Sequence, residues 1–243
     1  MNFIAIEKAS REAGPALEEL QLRGAILRCS KGFSLRANSL IVLSSQCGDW
    51  NKLVRCCENF FTRRNQPSVV RISSITKSAG LDSHLHELGY EKVKPSRVLL
   101  HRLGETTVIS TSIEEVSIKK WLENFYSLHQ GCEKDREVHS QLLDKAIGKC
   151  IPAVIVNEQG ETLCCGLCVV NGEFAGLFSI VTNINYRQQN LATSLIQFLL
   201  SRAKITGATF AYLQVEDTNA AARDLYRKLG FSTAYKYWYR VKN

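Results

Sequence analysis

The pattern that most constrains the fold of this chain lies in residues 174–243, where a strand, a polar turn and an amphipathic helix follow one another. A helix that begins directly after a turn presents backbone N–H groups without helical partners, and the positive end of its dipole. Such an end suits a phosphate group, so residues 186–192 predict the phosphate site of a nucleotide-like cofactor. The apolar face of the predicted helix comprises Ala192, Leu195, Ile196, Leu199, Leu200 and Ala203.

The elements around this helix predict an α/β (α+β) fold. Asn171-Gly172 is a strong hairpin signal, and strands over 151–157, 161–170 and 173–182 would form an antiparallel meander. A strand over 208–215, a helix closed by Gly230 and a strand over 235–241 follow, while helices are predicted over 113–128 and 135–147. This order predicts a mixed, mostly antiparallel sheet flanked by helices.

The first hundred residues partly repeat this plan. Strands are predicted over 25–29, 39–43 and 69–72, with a helix over 50–62. Leu88-Gly89-Tyr90 with a strand at 98–100 parallels Leu229-Gly230-Phe231 with a strand at 237–239. The repetition predicts two related units, residues 1–104 and 105–243, with a boundary near Gly104.

Charge and cysteine usage narrow the class of protein. The formal net charge is +8, but the basic residues are dispersed in short pairs such as Arg63-Arg64, which favours an anionic small ligand over nucleic acid. Nine cysteines without a regular framework, and a charged N-terminus unlike a signal peptide, predict free thiols in the cytoplasm. No apolar run approaches the ~20 residues of a membrane span, so no membrane partner is expected.

One cysteine pair has the spacing of a metal or redox site. Cys165 and Cys168 are separated by two residues, but they lie in a strand-like run without a second pair or a neighbouring histidine. We therefore expect no metal.

Two signatures of the C-terminal half resemble the GNAT acyltransferase superfamily. Residues 187–192 resemble the family pattern (Gln/Arg)-x-x-Gly-x-(Gly/Ala), with Asn190 where the family prefers glycine. Asn is the non-glycine residue that best tolerates positive φ, so the pattern is weakened but kept. The second signature, at the family's usual distance, comprises Asn219, Ala222, Leu225, Tyr226, Leu229, Gly230 and Phe231.

The same resemblance makes the N-terminal unit a degenerate GNAT-like copy. Leu85 stands at the counterpart of Tyr226, and no segment there resembles the turn at 187–192. One active site is therefore expected, in the C-terminal half. Residues 32–39 also resemble a motif of some tandem acetyltransferases, whose function the sequence does not give.

The resemblance implies an N-acetyltransferase that uses acetyl-CoA and moves the acetyl group to a primary amine by direct transfer. Tyr226 is implied as the general acid, since a phenol with a pKa near 10 is protonated at neutral pH and can serve a thiol with a pKa near 8.5. The residues implied in cofactor binding are Ile180, Val181, Thr182, Arg187, Gln188, Gln189, Asn190, Leu191, Ala192, Thr193 and Asn219.

The general base stays open at this point. A primary amine near pKa 10 arrives protonated and must lose a proton. Glu173, Glu216, His129 and His139 are weighed for this role, but each is as well explained as a surface or packed side chain.

The alternative reading is a non-catalytic acyl-CoA-binding regulatory protein, which Asn190 and the missing base support and Tyr226 opposes. The acceptor would be a small-molecule or peptide amine, and the protein a monomer or homodimer.

Overall fold

The computed structural model describes residues 2–44, 49–76, 80–104, 113–129 and 135–243. The chain forms two compact units that alternate along the sequence. The first unit contains Met1–Pro15, Leu99–Gln214 and Ala221–Ser232, and the second contains Ala16–Val98, Val215–Ala220 and Thr233–Asn243. The N-terminal residues 1–15 thus group with the C-terminal half of the chain, and residues 233–243 group with the N-terminal half. The predicted domains, 1–104 and 105–243, do not include this exchange of terminal segments and stay a prediction about folding units.

Helices and strands are numbered here in chain order. The helices are α1 (Phe3–Ala13), α2 (Trp50–Thr62), α3 (Leu81–Glu87), α4 (Ile118–Leu128), α5 (Arg136–Asp144), α6 (Leu191–Ile205) and α7 (Ala220–Lys228). The strands are β1 (Glu18–Leu22), β2 (Ala25–Cys29), β3 (Ser39–Val42), β4 (Ser68–Ser73), β5 (Glu91–Arg102), β6 (Ile113–Glu115), β7 (Lys149–Val156), β8 (Thr162–Asn171), β9 (Phe174–Thr182), β10 (Phe210–Glu216) and β11 (Ser232–Lys242). The mixed α/β class predicted from the sequence is confirmed.

The first unit is built on the predicted meander. Strands β6, β7, β8 and β9 pair in that order, each antiparallel to its neighbour, and β10 runs parallel to β9. Gly172 takes a φ of 58° in the β8–β9 turn, as the hairpin signal requires. Strand β9 therefore begins at a tight hairpin and ends at the turn before α6.

One predicted helix of this unit begins too early. Residues 113–115 form β6, with Ile113 opposite Ile155, and α4 begins only after its N-cap Ser117, whose side chain accepts the Lys120 N–H. Pairing with β7 overrides the local helical spacing because the strand buries Ile113. The prediction of a helix over 113–128 was therefore wrong for its first turn.

Helices cover both faces of the first unit's sheet. On one face, α1, α4 and α5 pack around the fully buried Trp121. On the other, Leu195 and Leu199 of α6 approach Gly166 of β8. Since successive strand residues point to opposite faces, Cys165 and Cys168 also point to opposite faces of β8 and cannot share a metal ion.

The second unit has its own core. Its strands lie in the order β1, β2, β3, β4 and β11, with β3 and β4 parallel and the other neighbours antiparallel. The core contains Leu53, Phe61 and Leu85 from α2 and α3. Strand β1 was not predicted, because after two glutamates it holds only the short alternation Leu20-Gln21-Leu22.

The motif at residues 32–39 has a structural explanation. Asn38, 4% exposed, accepts hydrogen bonds from the backbone N–H groups of Ser30 and Gly32 at 2.7 and 3.0 Å and donates to the Ser34 carbonyl at 2.7 Å. Its side chain therefore fixes the loop between β2 and β3.

The cysteines in the described ranges are all free thiols, while Cys47 and Cys132 lie outside these ranges. No helix in this part of the chain is long and apolar enough to cross a membrane.

Candidate active site

The end of β9 parts from β10 at a defined position. The parallel ladder joins residues Phe174–Leu177 of β9 to Phe210–Leu213 of β10 and ends there in the described register. Along β8, Leu167 faces Phe178 but Cys165 faces Val181, so β9 carries one extra residue, and Ser179 has a φ of 51°. A bulge of this kind bends a strand and redirects its backbone. The segment implied to bind the pantetheine arm, Ile180, Val181 and Thr182, lies directly after it.

Two glycines allow the side chains to pack around this bulge. A Cβ at Gly176 would lie 2.5 Å from the Tyr212 hydroxyl and 2.6 Å from the Phe178 ring, whose centroid is 6.2 Å from that of Tyr212. A Cβ at Gly166 would lie 2.5 Å from Cδ1 of Ile180. The point of divergence is therefore set by close packing as well as by the backbone.

The turn before α6 has the geometry expected of an anion-binding loop. Gln188 and Asn190 take φ values of 62° and 60°, and Asn190 is the left-handed N-cap residue of α6. Its carbonyl accepts the Ser194 N–H at 3.0 Å, and within the described chain no side chain caps this end. The N–H groups of Leu191, Ala192 and Thr193 thus start the helix without intrahelical partners. Arg187 and Gln189 are exposed beside them.

A carboxylate anchors this turn to the β7–β8 connection. Glu161 accepts hydrogen bonds from the Tyr186 hydroxyl at 2.8 Å, from Asn183 Nδ2 at 3.1 Å and from Asn157 Nδ2 at 3.1 Å. The hydrogen bond to Glu161 raises the pKa of Tyr186 because the carboxylate favours the protonated phenol. No local pattern indicates this network, since its partners lie up to 25 residues apart.

Tyr226 lies on α7 with its side chain turned inward. It is 9% exposed and its ring centroid is 5.9 Å from that of Phe231. Burial raises the pKa of Tyr226 to about 12, and the Cys164 thiol adds to the effect. Cys164 Sγ in turn lies 3.3 Å from Thr182 Oγ1 at the end of β9. The phenol is consequently protonated throughout the physiological pH range.

Asn219, the remaining implied cofactor ligand, directly precedes α7, and its N–H donates to the Glu216 carbonyl at 3.0 Å.

The four residues weighed as general bases have other surroundings. Glu173 is exposed in the hairpin, at the opposite end of β9 from the bulge. Glu216 forms an ion pair with Lys94 at 3.2 Å. His139 is buried with its Nδ1 3.2 Å from the Tyr126 hydroxyl, and the exposed His129 lies beside the Phe125 ring.

A polar contact near the divergence was not predicted. Gln214 follows Leu213, the last residue of β10 that pairs with β9. The Gln214 Nε2 donates to Ser10 Oγ of α1 at 2.8 Å. Ser10 is 4% exposed. The two residues are 204 positions apart, so local patterns carry no signal for this contact.

Within the described residues, no group of three or more His, Cys, Asp or Glu side chains could hold a metal ion. Burial raises the pKa of the Cys164 thiol to about 11, and that of Cys168 also lies above its ordinary value. These thiols are therefore not thiolates at neutral pH, which opposes a nucleophilic role.

Comparison with known proteins gives a consistent result. The model described as "Acetyltransferase (GNAT) family" matches residues 116–231. An uncharacterized N-acetyltransferase of Bacillus subtilis, YobR, is 26% identical over 245 residues, which cover 98% of this chain and 97% of that protein. The ribosomal protein bS18-alanine N-acetyltransferase of Escherichia coli K12 is 37% identical over 60 residues, or 25% of this chain and 40% of that protein.

A solved structure extends the likeness to the fold. The GCN5-related N-acetyltransferase from Kribbella flavida has a TM-score of 0.71 at 14% identity, covering 98% of this chain and 95% of that one. At this identity the likeness concerns the fold alone. The family match and the named relatives support an acyltransferase as the general class of this protein.

Proposed function

We propose that this chain, which belongs to the GNAT acetyltransferase superfamily, moves an acetyl group from acetyl-CoA to a primary amine by direct transfer. The acceptor is a small-molecule or peptide amine. The relative from E. coli is named for an alanine of a ribosomal protein, which is one example of a peptide amine. The free thiols of the described chain fit a cytoplasmic protein.

The observation that carries the proposal is the uncapped start of α6. Asn190 adopts the left-handed conformation that a glycine, preferred by the family at this position, would readily take, and Gln188 is left-handed as well. No described side chain caps the N–H groups that follow. Backbone N–H groups and the helix dipole together favour the phosphates of coenzyme A. Arg187 adds a positive charge at the same turn.

The end of β9 suits the extended arm of the cofactor. Residues Ile180, Val181 and Thr182 follow the bulge beyond the described ladder with β10, so their backbone can pair with an extended ligand as a neighbouring strand would. Thr182 leads through Asn183 into the turn that starts α6. One continuous segment therefore serves both the arm and the phosphates.

Tyr226 stabilises the leaving group in this proposal. Its pKa of about 12 exceeds the reference value of a thiol, so the phenol stays protonated while it donates a hydrogen bond to the departing sulfur. Acetyl-CoA, when bound, supplies the activated acyl group. The amine must lose its proton before attack, so we expect the rate to rise with pH as the free amine accumulates.

The surroundings of the four weighed bases favour a second candidate function, a non-catalytic acyl-CoA-binding regulatory protein. Glu173 lies at the wrong end of β9 and His139 is packed against Tyr126, so neither is available as a base beside the bulge. Such a protein would bind the cofactor without turnover.

A thiol-release assay with acetyl-CoA and a panel of primary amines and N-terminal peptides separates the candidates. Amine-dependent release by the native chain is the expected result. Cofactor binding without release across the panel would favour the regulatory protein. Absence of cofactor binding would contradict both.

A further inference from the structure

The outer face of α2 gathers positive charge that is dispersed in the sequence. Lys52, Arg55 and Arg63 recur at helical spacing and are exposed, while Leu53 and Phe61 on the other face are buried. In the described chain, no carboxylate forms an ion pair with these three cations. The arrangement leaves a stripe of available positive charge, here called the α2 basic stripe (Lys52, Arg55 and Arg63).

The stripe borders a groove of the second unit. Besides the three cations, the groove is lined by Leu20 of β1 and by Cys56 and Phe60 of α2. Leu20 is 47% exposed, and the Arg64 guanidinium lies 3.8 Å from the centroid of the Phe60 ring. The groove thus combines an apolar floor with a basic wall.

The two acids of β1 beside the groove are already paired. Glu18 bonds to Arg64 at 2.8 Å, and Glu19 bonds to the buried Arg28 at 2.9 Å. Asp49 lines the groove and accepts the Asn51 N–H at 2.8 Å, and its charge offsets one of the three cations of the stripe. The α2 basic stripe therefore keeps a net positive charge that an acidic ligand could neutralise.

Strand β1 offers a second means of recognition. It is the outermost strand of its sheet and pairs with β2 on one side. The other edge of such a strand carries backbone groups that an extended peptide can match. An apolar floor and a backbone edge suit a peptide better than a nucleic acid.

We propose that β1 and the α2 basic stripe bind an extended acidic segment of a partner protein, which adds to β1 as a further strand. From Lys52 to Arg63, the residue that caps the end of α2, the stripe covers eleven helical steps, or about 16 Å. An extended peptide covers this length with about five residues. Acidic side chains at alternate positions of the bound peptide face the α2 basic stripe. The side chains on the other face of the peptide need not be apolar.

A fluorescence anisotropy titration with a labelled heptapeptide of alternating Glu and Val tests the proposal on the full chain. Saturable binding is expected, with at least a tenfold loss of affinity in the double variant Arg55→Glu/Arg63→Glu. The matched double variant Lys119→Glu/Lys204→Glu changes the charge equally at exposed sites elsewhere and should bind as the native chain does. Both variants should keep their acetyl-CoA-dependent activity, so the outcome is independent of the proposed function.

Peptides methylated on alternate backbone nitrogens test the strand addition separately. Since an added strand bonds to its neighbour through alternate residues, one methylated set should abolish binding and the other should retain it. Equal effects of the two sets, no saturable binding, or tighter binding of a uridine heptanucleotide would each overturn the proposal.

Discussion

At the residue scale, the candidate active site depends on side chains whose neighbours set their chemistry. Tyr226 is a buried phenol with a raised pKa, and Asn190 is a non-glycine residue held at positive φ. The sequence predicted both residues because each stands in a family signature. It did not predict Glu161, since that carboxylate acts through hydrogen bonds that join its own loop to a turn more than 20 residues away.

Substitution of Tyr226 by Phe should lower kcat about 100-fold or more, the usual contribution of a general acid, with little change in acetyl-CoA affinity. The phenol ring contacts Phe231, and Phe keeps that contact. Steady-state thiol release and a calorimetric Kd measure the two effects. An unchanged kcat would remove Tyr226 from the role of acid.

Replacing Glu161 with Gln should raise the KM for acetyl-CoA several-fold and leave kcat nearly unchanged. The substitution weakens the bonds that hold Tyr186 and Asn183, and with them the turn before α6. Glu158→Gln, an exposed change in the same β7–β8 connection, is the matched control. A loss of kcat at constant KM would show that Glu161 does not position the cofactor turn.

At the scale of elements, β9 is the structure on which the candidate site depends. Its hairpin, its bulge and its exit into the turn before α6 put the implied cofactor residues other than Asn219 on one continuous segment. The meander and α6 were predicted because their periodicities are strong. The bulge was not predicted, since position 179 holds a serine and not a glycine or proline that would indicate it. Strand β6 was not predicted either, because its pairing with β7 overrides the local helical spacing.

Gly176→Ala should destabilise the fold by about 1–3 kcal/mol, a typical cost of overpacking, because the new methyl group would press on Tyr212 and Phe178. Urea unfolding measures the change. Gly104→Ala, where a Cβ meets nothing within 4 Å, should be close to neutral. Equal stability of the two variants would contradict the packing described around the bulge.

At the scale of the whole molecule, the chain is two compact units with separate cores. The class of fold followed from the order of elements, but the exchange of terminal segments did not, because long-range contacts leave no local pattern. The helix–glycine–aromatic sequence does recur in geometry, since Gly89 and Gly230 share a φ of 82°. The Tyr90 N–H donates to the Leu85 carbonyl at 2.9 Å, and the Phe231 N–H donates to the Tyr226 carbonyl at 3.0 Å. The tandem interpretation stays a prediction.

The ion pair between Asp82 and Arg240 should contribute to the acid stability of the second unit. Asp82 accepts bonds from Arg240 at 2.8 and 3.0 Å and from Trp238 at 2.7 Å, and the bond to Arg240 lowers the pKa of Asp82. Asp82→Asn should cost about 1–3 kcal/mol at pH 7, toward the lower value because the carboxylate is 36% exposed.

The sign of the pH dependence follows from the lowered pKa. The stabilisation is present above the unfolded pKa of about 3.9 and is lost as the pH falls through the lower folded value. The difference in Tm between the native chain and Asp82→Asn should therefore shrink below about pH 4. Asp224→Asn, in an exposed pair with Arg227, should change Tm little at any pH. A pH-independent difference for Asp82 would contradict this explanation.

A calorimetric titration with acetyl-CoA tests directly whether the cofactor binds at the start of α6. It compares the native chain with the variants Ala192→Asp and Ala192→Asn. An aspartate in the first turn of α6 favours the helix dipole but repels phosphate, so Tm should hold while affinity falls at least tenfold. The uncharged Asn variant should retain most of the native affinity. Equal binding by Ala192→Asp, or no binding by the native chain, would contradict a cofactor site at the start of α6.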